Sequence, residues 1–178
     1  MSKIKWMGIM LAVSDLEKSK FFYETVMEQR VDFYAPASSE HVCGMVTFAS
    51  GFNLLGLSIL TNYDKLVSGE GLAKQPSGVK LEMKTKSNNV QLYFEVDDMD
   101  HWAAKLKSAE GIEFIHDIIE YDFGQRVMRF YDYDKHIVEV SEAIDVVAKR
   151  LKAQGFTVEE IAERFRDPVE SIHKLLRT

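Results

Sequence analysis

Apolar residues alternate loosely over residues 7–13, where Ile9, Leu11 and Val13 carry the pattern of a strand. Past Ser14-Asp15, both good helix N-caps, the period changes. Leu16, Phe22, Tyr23 and Val26 then recur at helical spacing. Three shorter apolar runs follow, Arg30–Tyr34, Val42–Phe48 and Asn53–Leu60, and Ser50-Gly51 between the last two predicts a hairpin turn. The order strand, helix, three strands is then repeated. Val90–Val96 predicts a strand, Met99–Ser108 a helix that Gly111 is expected to end, and Glu113–Glu120, Gln125–Tyr131 and His136–Val140 three strands. Aligning Val13 with Val96 sets Ser14-Asp15-Leu16 over Asp97-Asp98-Met99, so one supersecondary unit is spelled twice. Between the copies, residues 61–89 form a polar connection in which Val79–Lys84 alternates well enough for a strand edge.

The texture changes after Ser141. Ile144, Val147, Ala148 and Leu151 sit at helical spacing up to Gly155, and Thr157-Val-Glu-Glu160 predicts a capping box opening a helix through Phe165. Asp167-Pro168-Val-Glu170 predicts a second box with Pro at the first helical position, opening a helix that carries Val169, Ile172, Leu175 and Leu176.

Composition narrows the class of protein. At 46% hydrophobic and 28% charged, 178 residues suffice for an ordinary globular core. The single Cys43 excludes an intramolecular disulfide and fits a reducing, cytoplasmic location. No stretch approaches the roughly 20 apolar residues of a membrane span, and no signal peptide is apparent in MSKIKWMGIM. A net charge of −6 argues against nucleic acid as the main partner. No phosphate loop, nucleophile elbow or CxxC occurs, and His41, His101, His116, His136 and His173 show no metal-ligand spacing.

Three segments carry a resemblance. LAVSDLEKSKFFYETV, the echo YFEVDD and the closing GQRVMRFYDYDKHIVEV are similar, in that order, to the vicinal oxygen chelate superfamily of glyoxalases, bleomycin-resistance proteins and ring-cleaving dioxygenases. The resemblance covers about residues 5–142. It implies an α+β fold of two βαβββ modules (about 5–60 and 90–141) curling into an open barrel around a small-molecule cavity, with residues 143–178 as a helical extension. It also implies a homodimer.

Catalytic members of that superfamily hold a divalent metal through a His five residues before the Val of each opening strand and a Glu near the end of the last strand. The corresponding positions here are Gly8, Gln91 and Glu139, and an optional module-one ligand falls near Gly56. One carboxylate and one amide do not make a site for zinc or iron, so no metal or other cofactor is expected. The resemblance and strand parity together give a ligand pocket of Gly8, Gln91, Tyr93, Glu95, Arg126 and Glu139, with Glu139 the single catalytic candidate. Arg129 is considered with Arg126 for an anionic ligand. The closing turn departs from the superfamily's D-P-D-G as Asp132-Tyr-Asp134-Lys135.

The reading that follows is a metal-free protein that sequesters or senses a small molecule. A divergent lyase or dioxygenase using Glu139 is the first alternative. The second is a regulator whose tail, QGFTVEEIAERFRDPVESIHKLLRT, resembles a helix-turn-helix. Against DNA binding, seven Lys or Arg in residues 143–178 face six Asp or Glu.

Overall fold

The computed structural model describes residue 4, residues 8–36, 44–56, residue 86 and residues 88–177. The predicted strand at Val79–Lys84 and His41 lie outside the described residues. The chain forms two compact units, Met1–Thr85 and Lys86–Thr178.

The first unit runs β1 (Ile9–Val13), α1 (Leu16–Phe21), a wide π turn (Phe22–Val26), β2 (Val31–Ala35), β3 (Gly44–Phe48) and β4 (Phe52–Gly56). Its sheet has the order β1-β4-β3-β2, with β1 parallel to β4 and the other pairs antiparallel. The Asp15 carboxylate accepts the Lys18 amide at 3.0 Å and so starts α1 where the sequence places it. Alternation along β3 and β4 turns Val46, Phe48, Phe52 and Leu54 inward onto Phe22 and Tyr23. Phe48 stacks on Phe52 at 4.5 Å and Tyr23 meets Phe52 edge-on at 5.0 Å. Each such buried side chain contributes about 2–3 kcal/mol. Two glycines are required by close approach. A Cβ on Gly56 would lie 2.7 Å from the Leu16 Cβ, and one on Gly8 (φ +112°) would lie 2.0 Å from the Gly51 carbonyl oxygen.

The second unit repeats this plan with β5 (Gln91–Val96), α2 (Met99–Lys107), β6 (Glu113–Glu120), β7 (Arg126–Tyr131) and β8 (Ile137–Glu142) in the sheet order β5-β8-β7-β6. Asp98 caps α2 as Asp15 caps α1, accepting the His101 amide at 2.9 Å. The helix stops at Lys107, earlier than Gly111. Gly111 (φ +81°) serves instead in the turn into β6, where a Cβ would stand 2.9 Å from the Tyr133 ring. Met99, Ala103 and Leu106 of α2 are buried, as are Leu92, Met128, Phe130, Val138 and Val140 of the sheet.

Three helices follow, α3 (Ile144–Ala153), α4 (Val158–Phe165) and α5 (Val169–Leu175). Val147, Ala148, Leu151, Ile161, Ala162 and Ile172 form their common core. The Thr157–Glu160 capping box is present in both directions, at 2.7 and 3.1 Å. The second box is not. Arg166 adopts a left-handed conformation (φ +53°) and the Asp167 amide returns to the Ala162 carbonyl, so Asp167 is engaged in closing α4. Pro168, with extended ψ, becomes the N-cap of α5 in its place.

One buried carboxylate joins these helices to the sheet. Glu142, 1% exposed, accepts Arg150 of α3 (2.7 and 3.1 Å) and Arg126 of β7 (3.2 Å). Arg150 also donates to the Gly124 carbonyl in the β6–β7 turn. No helix among the described residues is long and apolar enough to cross a membrane.

Replacing Arg150 with Met leaves Glu142 one of its two cations and is expected to cost about 2–3 kcal/mol in urea unfolding. Burial alone would raise the Glu142 carboxyl, but the two guanidiniums win and hold it below its ordinary value. Its contribution is therefore complete above the ordinary carboxylate range and is lost as pH falls through the depressed folded value. Unfolding curves measured from about pH 6 down to pH 3 should show this loss, and Glu142→Gln should flatten that part of the profile.

Candidate functional site

The chemistry-bearing residues of the second unit gather on one face of its sheet. Register dictates this. Tyr93 pairs with Glu139 across the parallel β5–β8 ladder, and Arg129 pairs with Glu139 across the antiparallel β7–β8 ladder. Residues paired in register share a face. Gln91, Tyr93, Glu95, Arg129, Glu139 and Ser141 therefore point one way. Their neighbours Leu92, Met128, Phe130, Val138 and Val140 point the other way, into the core.

Glu139 is the centre of the cluster and is 5% exposed. One of its oxygens accepts the Ser141 hydroxyl at 2.9 Å; the other accepts the Gln91 amide at 3.1 Å and is ion-paired with Arg129. The guanidinium is held from four sides. Its Nε donates to Gln91 Oε1 at 3.4 Å, its Nη2 to the Tyr121 hydroxyl at 2.8 Å, and its Nη1 to His116 Nε2 at 3.1 Å. The other His116 ring nitrogen lies 2.8 Å from the Asp117 carbonyl oxygen, which assigns its proton to Nδ1 and leaves Nε2 as the acceptor. Five elements or turns thus position one buried ion pair.

Around it stands a more open rim. The Tyr93 hydroxyl donates to Glu95 at 2.8 Å and receives a long contact from Gln125 at 3.4 Å. Desolvation, then the bond to Glu95, pushes the Tyr93 phenol above its usual value, so it remains a proton donor.

The structure brings Gln91, Tyr93, Glu95 and Glu139 together as parity implies. Arg126 does not join them. It lies on the opposite face, where its guanidinium pairs with Asp100 of α2 at 3.0 Å and with Glu142. The arginine of this site is Arg129, three residues on in a strand whose side chains alternate. Gly8 belongs to the first unit and can bear no side chain at all.

The module-one counterpart of Glu139 is also corrected. Met10, the equivalent of Tyr93, pairs with Asn53 in the β1–β4 ladder, so the matching residue is Asn53 and not Gly56. The Asn53 amide donates to the Ile9 carbonyl at 3.1 Å. Laying FNLLG of β4 over VEVSE of β8 reveals this in the sequence itself. Tyr121, His116, Gln125 and Ser141 were not among the expected pocket residues. Ser141 shares the face of Glu139 by parity along β8, whereas Tyr121 and His116 reach the site through β6, whose pairing with β7 shifts register at His116.

Do these residues fit the metal that the superfamily implies? Its four positions hold Gly8, Asn53, Gln91 and Glu139: no side chain, two amides and one carboxylate. That carboxylate already carries a fixed guanidinium. Among the described residues no group of three or more His, Cys, Asp or Glu side chains is disposed to hold an ion. The donor set does not fit a transition metal.

The closing turn sets Glu139 in register without the usual Pro and Gly. Lys135 takes the left-handed conformation (φ +68°), and Asp132 replaces the lost rigidity by accepting the Asp134 and His136 amides at 3.0 and 2.8 Å. Its other oxygen meets His136 Nδ1 at 3.0 Å.

A family model described as a glyoxalase-like domain matches residues 6–145. No curated protein matches the sequence. Among solved structures, a glyoxalase-related enzyme from Fulvimarina pelagi is 18% identical, with 81% of this chain and 90% of that one covered at a TM-score of 0.55. The fosfomycin resistance protein FosX from Listeria monocytogenes, in its monoclinic form, is 16% identical, with 79% and 92% covered at a TM-score of 0.53. A lactoylglutathione lyase from Agrobacterium tumefaciens is 19% identical, with 88% and 100% covered at a TM-score of 0.50. At these identities the likeness is one of fold.

Two outcomes are expected from the site's electrostatics. Arg129→Met strands a buried carboxylate and should cost about 3–5 kcal/mol in chemical denaturation, while Arg129→Met combined with Glu139→Gln should recover more than half of that loss. Burial alone would lower the His136 pKa, but the bond to Asp132 and the charges of Asp132 and Asp134 raise it above its ordinary 6.5. The stabilisation is therefore complete below that ordinary value and fades as pH rises through the elevated one. Melts between about pH 5.5 and 9 should show this loss for the native chain and a flatter profile for His136→Asn.

Proposed function

The chain belongs to the family of glyoxalase-like domains, and from that premise we propose that it is a metal-free binding protein that sequesters or senses a small molecule. The observation that carries this reading is the Arg129–Glu139 ion pair. The single carboxylate retained at a family ligand position is buried, and both of its oxygens already accept bonds from this chain's own donors. A cation at Glu139 would have to displace a guanidinium held by three other residues. At the module-one position Gly8 leaves no room for a ligand side chain.

The same saturation argues against Glu139 as a general base, because a base needs an oxygen turned toward substrate. What the face offers a ligand is Tyr93, Glu95 and the amide of Gln91, half-exposed or exposed on a rigid sheet. Such groups orient a bound molecule by hydrogen bonding and do not activate it. The reading includes a homodimer, which sedimentation at micromolar concentration tests separately.

Elemental analysis of the purified protein should find no stoichiometric transition metal, and added Zn2+, Mn2+ or Ni2+ should leave the melting temperature unchanged. One tightly held metal per chain would overturn the proposal. In a thermal-shift screen of metabolites and antibiotics, a true ligand at 100 times its dissociation constant should stabilise the protein by about 2.7 kcal/mol. Tyr93→Phe, which removes a polar group of the rim, should diminish that shift.

A further inference from the structure

The second unit has a groove that shares Tyr121 with the Gln91–Glu139 centre and is otherwise lined by other residues. The β6–β7 turn and the C-terminal end of α4 border this open groove of about 1050 Å3, ample for a drug-sized molecule. Its walls are aromatic. Tyr121 lies against Phe123 at 5.7 Å, and Phe123 meets Phe165 nearly at right angles at 6.3 Å. Tyr121 is a fixed wall: its hydroxyl is held by Arg129, whose guanidinium also lies 6.0 Å from its ring centre, so the free ring faces are those of Phe123 and Phe165.

The rim is acidic, with Glu120, Asp122, Glu163 and Asp167 set against Arg164 and Arg166. Of the four carboxylates, Glu120 alone has an ionic partner among the described residues, Arg150 at 3.9 Å. Asp122, Glu163 and Asp167 make no ion pair there. Arg164 is engaged elsewhere, its guanidinium lying 4.3 Å from the centre of the Phe156 ring. Ring faces attract cations, and a lining with four carboxylates against the two arginines Arg164 and Arg166 is net negative, which reinforces that attraction and disfavours anions.

We propose that this groove binds a planar organic cation, its aromatic body laid against the Phe123 and Phe165 rings and its positive charge toward Glu163 and Asp167. The occupant is a small molecule of this class, selected by charge as much as by apolar contact.

Two dyes that brighten in apolar surroundings separate charge from hydrophobicity. Berberine is an aromatic cation and 8-anilinonaphthalene-1-sulfonate an aromatic anion, and each is titrated into the full chain at low salt. Berberine should saturate at one per chain and bind about tenfold more tightly than the anion. The double variant Glu163→Gln/Asp167→Asn alters exposed positions only and should weaken berberine about fivefold, with the melting temperature retained. Phe123→Leu keeps an apolar wall without its ring face and should weaken berberine as well. Equal affinity for the two dyes overturns the proposal. So does berberine binding that the double variant leaves unchanged. Concentration-dependent self-association that berberine reverses would give the groove to a second copy of the chain, and would also overturn it.

Discussion

A buried carboxylate must be given a positive partner, and the sheet face of the second unit is arranged around that requirement. Ionised Glu139 without a partner would cost several kcal/mol. In the resembling superfamily a metal ion meets that need where catalysis occurs. Here a guanidinium covalently attached to the neighbouring strand meets it. Arg129 in turn requires acceptors for its planar fork, and Gln91, Tyr121 and His116 supply them from β5, the hairpin and β6. The consequence is a face whose buried carboxylate is neutralised by the chain itself. It can present hydrogen-bonding groups to a visitor without depending on an ion from solution.

The two modules share a backbone plan but differ in chemistry. Both sheets have the same strand order and both helices start from an Asp cap. In the first unit, however, the positions equivalent to Gln91 and Glu139 are Gly8 and Asn53. Gly8 has no space for a side chain beneath the Gly51 carbonyl, and Asn53 is occupied with the backbone of β1. On the other face of that sheet an aromatic cluster of Phe22, Tyr23, Phe48 and Phe52 forms the core, as Leu92, Met128, Phe130, Val138 and Val140 do in the second unit. On the equivalent face one copy has a close backbone approach and a side chain bonded to the main chain, the other a polar network.

Much of this was legible in the chain. Period-two and helical spacings located the described strands and helices to within a few residues, and the Val13–Val96 echo exposed the duplication. Parity along QLYFEV put Gln91, Tyr93 and Glu95 with Glu139. Arg126 was misplaced because parity was applied along β5 and β8 and not carried across to β7, where the Arg129↔Glu139 pairing decides the face. His116 stands at no metal-ligand spacing because its role is to accept a hydrogen bond from Arg129. The second capping box failed for a tertiary reason. The residue meant to open α5 had already been used to finish α4, a competition that local propensity does not register.

The three terminal helices lie largely beyond the stretch matched by the family model, and a buried charge ties them to the sheet. Glu142 divides its charge between a strand arginine and a helix arginine, and that helix arginine also grips the hairpin carbonyl at Gly124. A chain cut after the last strand would keep every residue that defines the family while stripping a buried acid of half its neutralisation. The hairpin carrying Tyr121 would lose its anchor in the same stroke. The stretch that carries the family likeness and the stretch that neutralises Glu142 are therefore different lengths of this polypeptide.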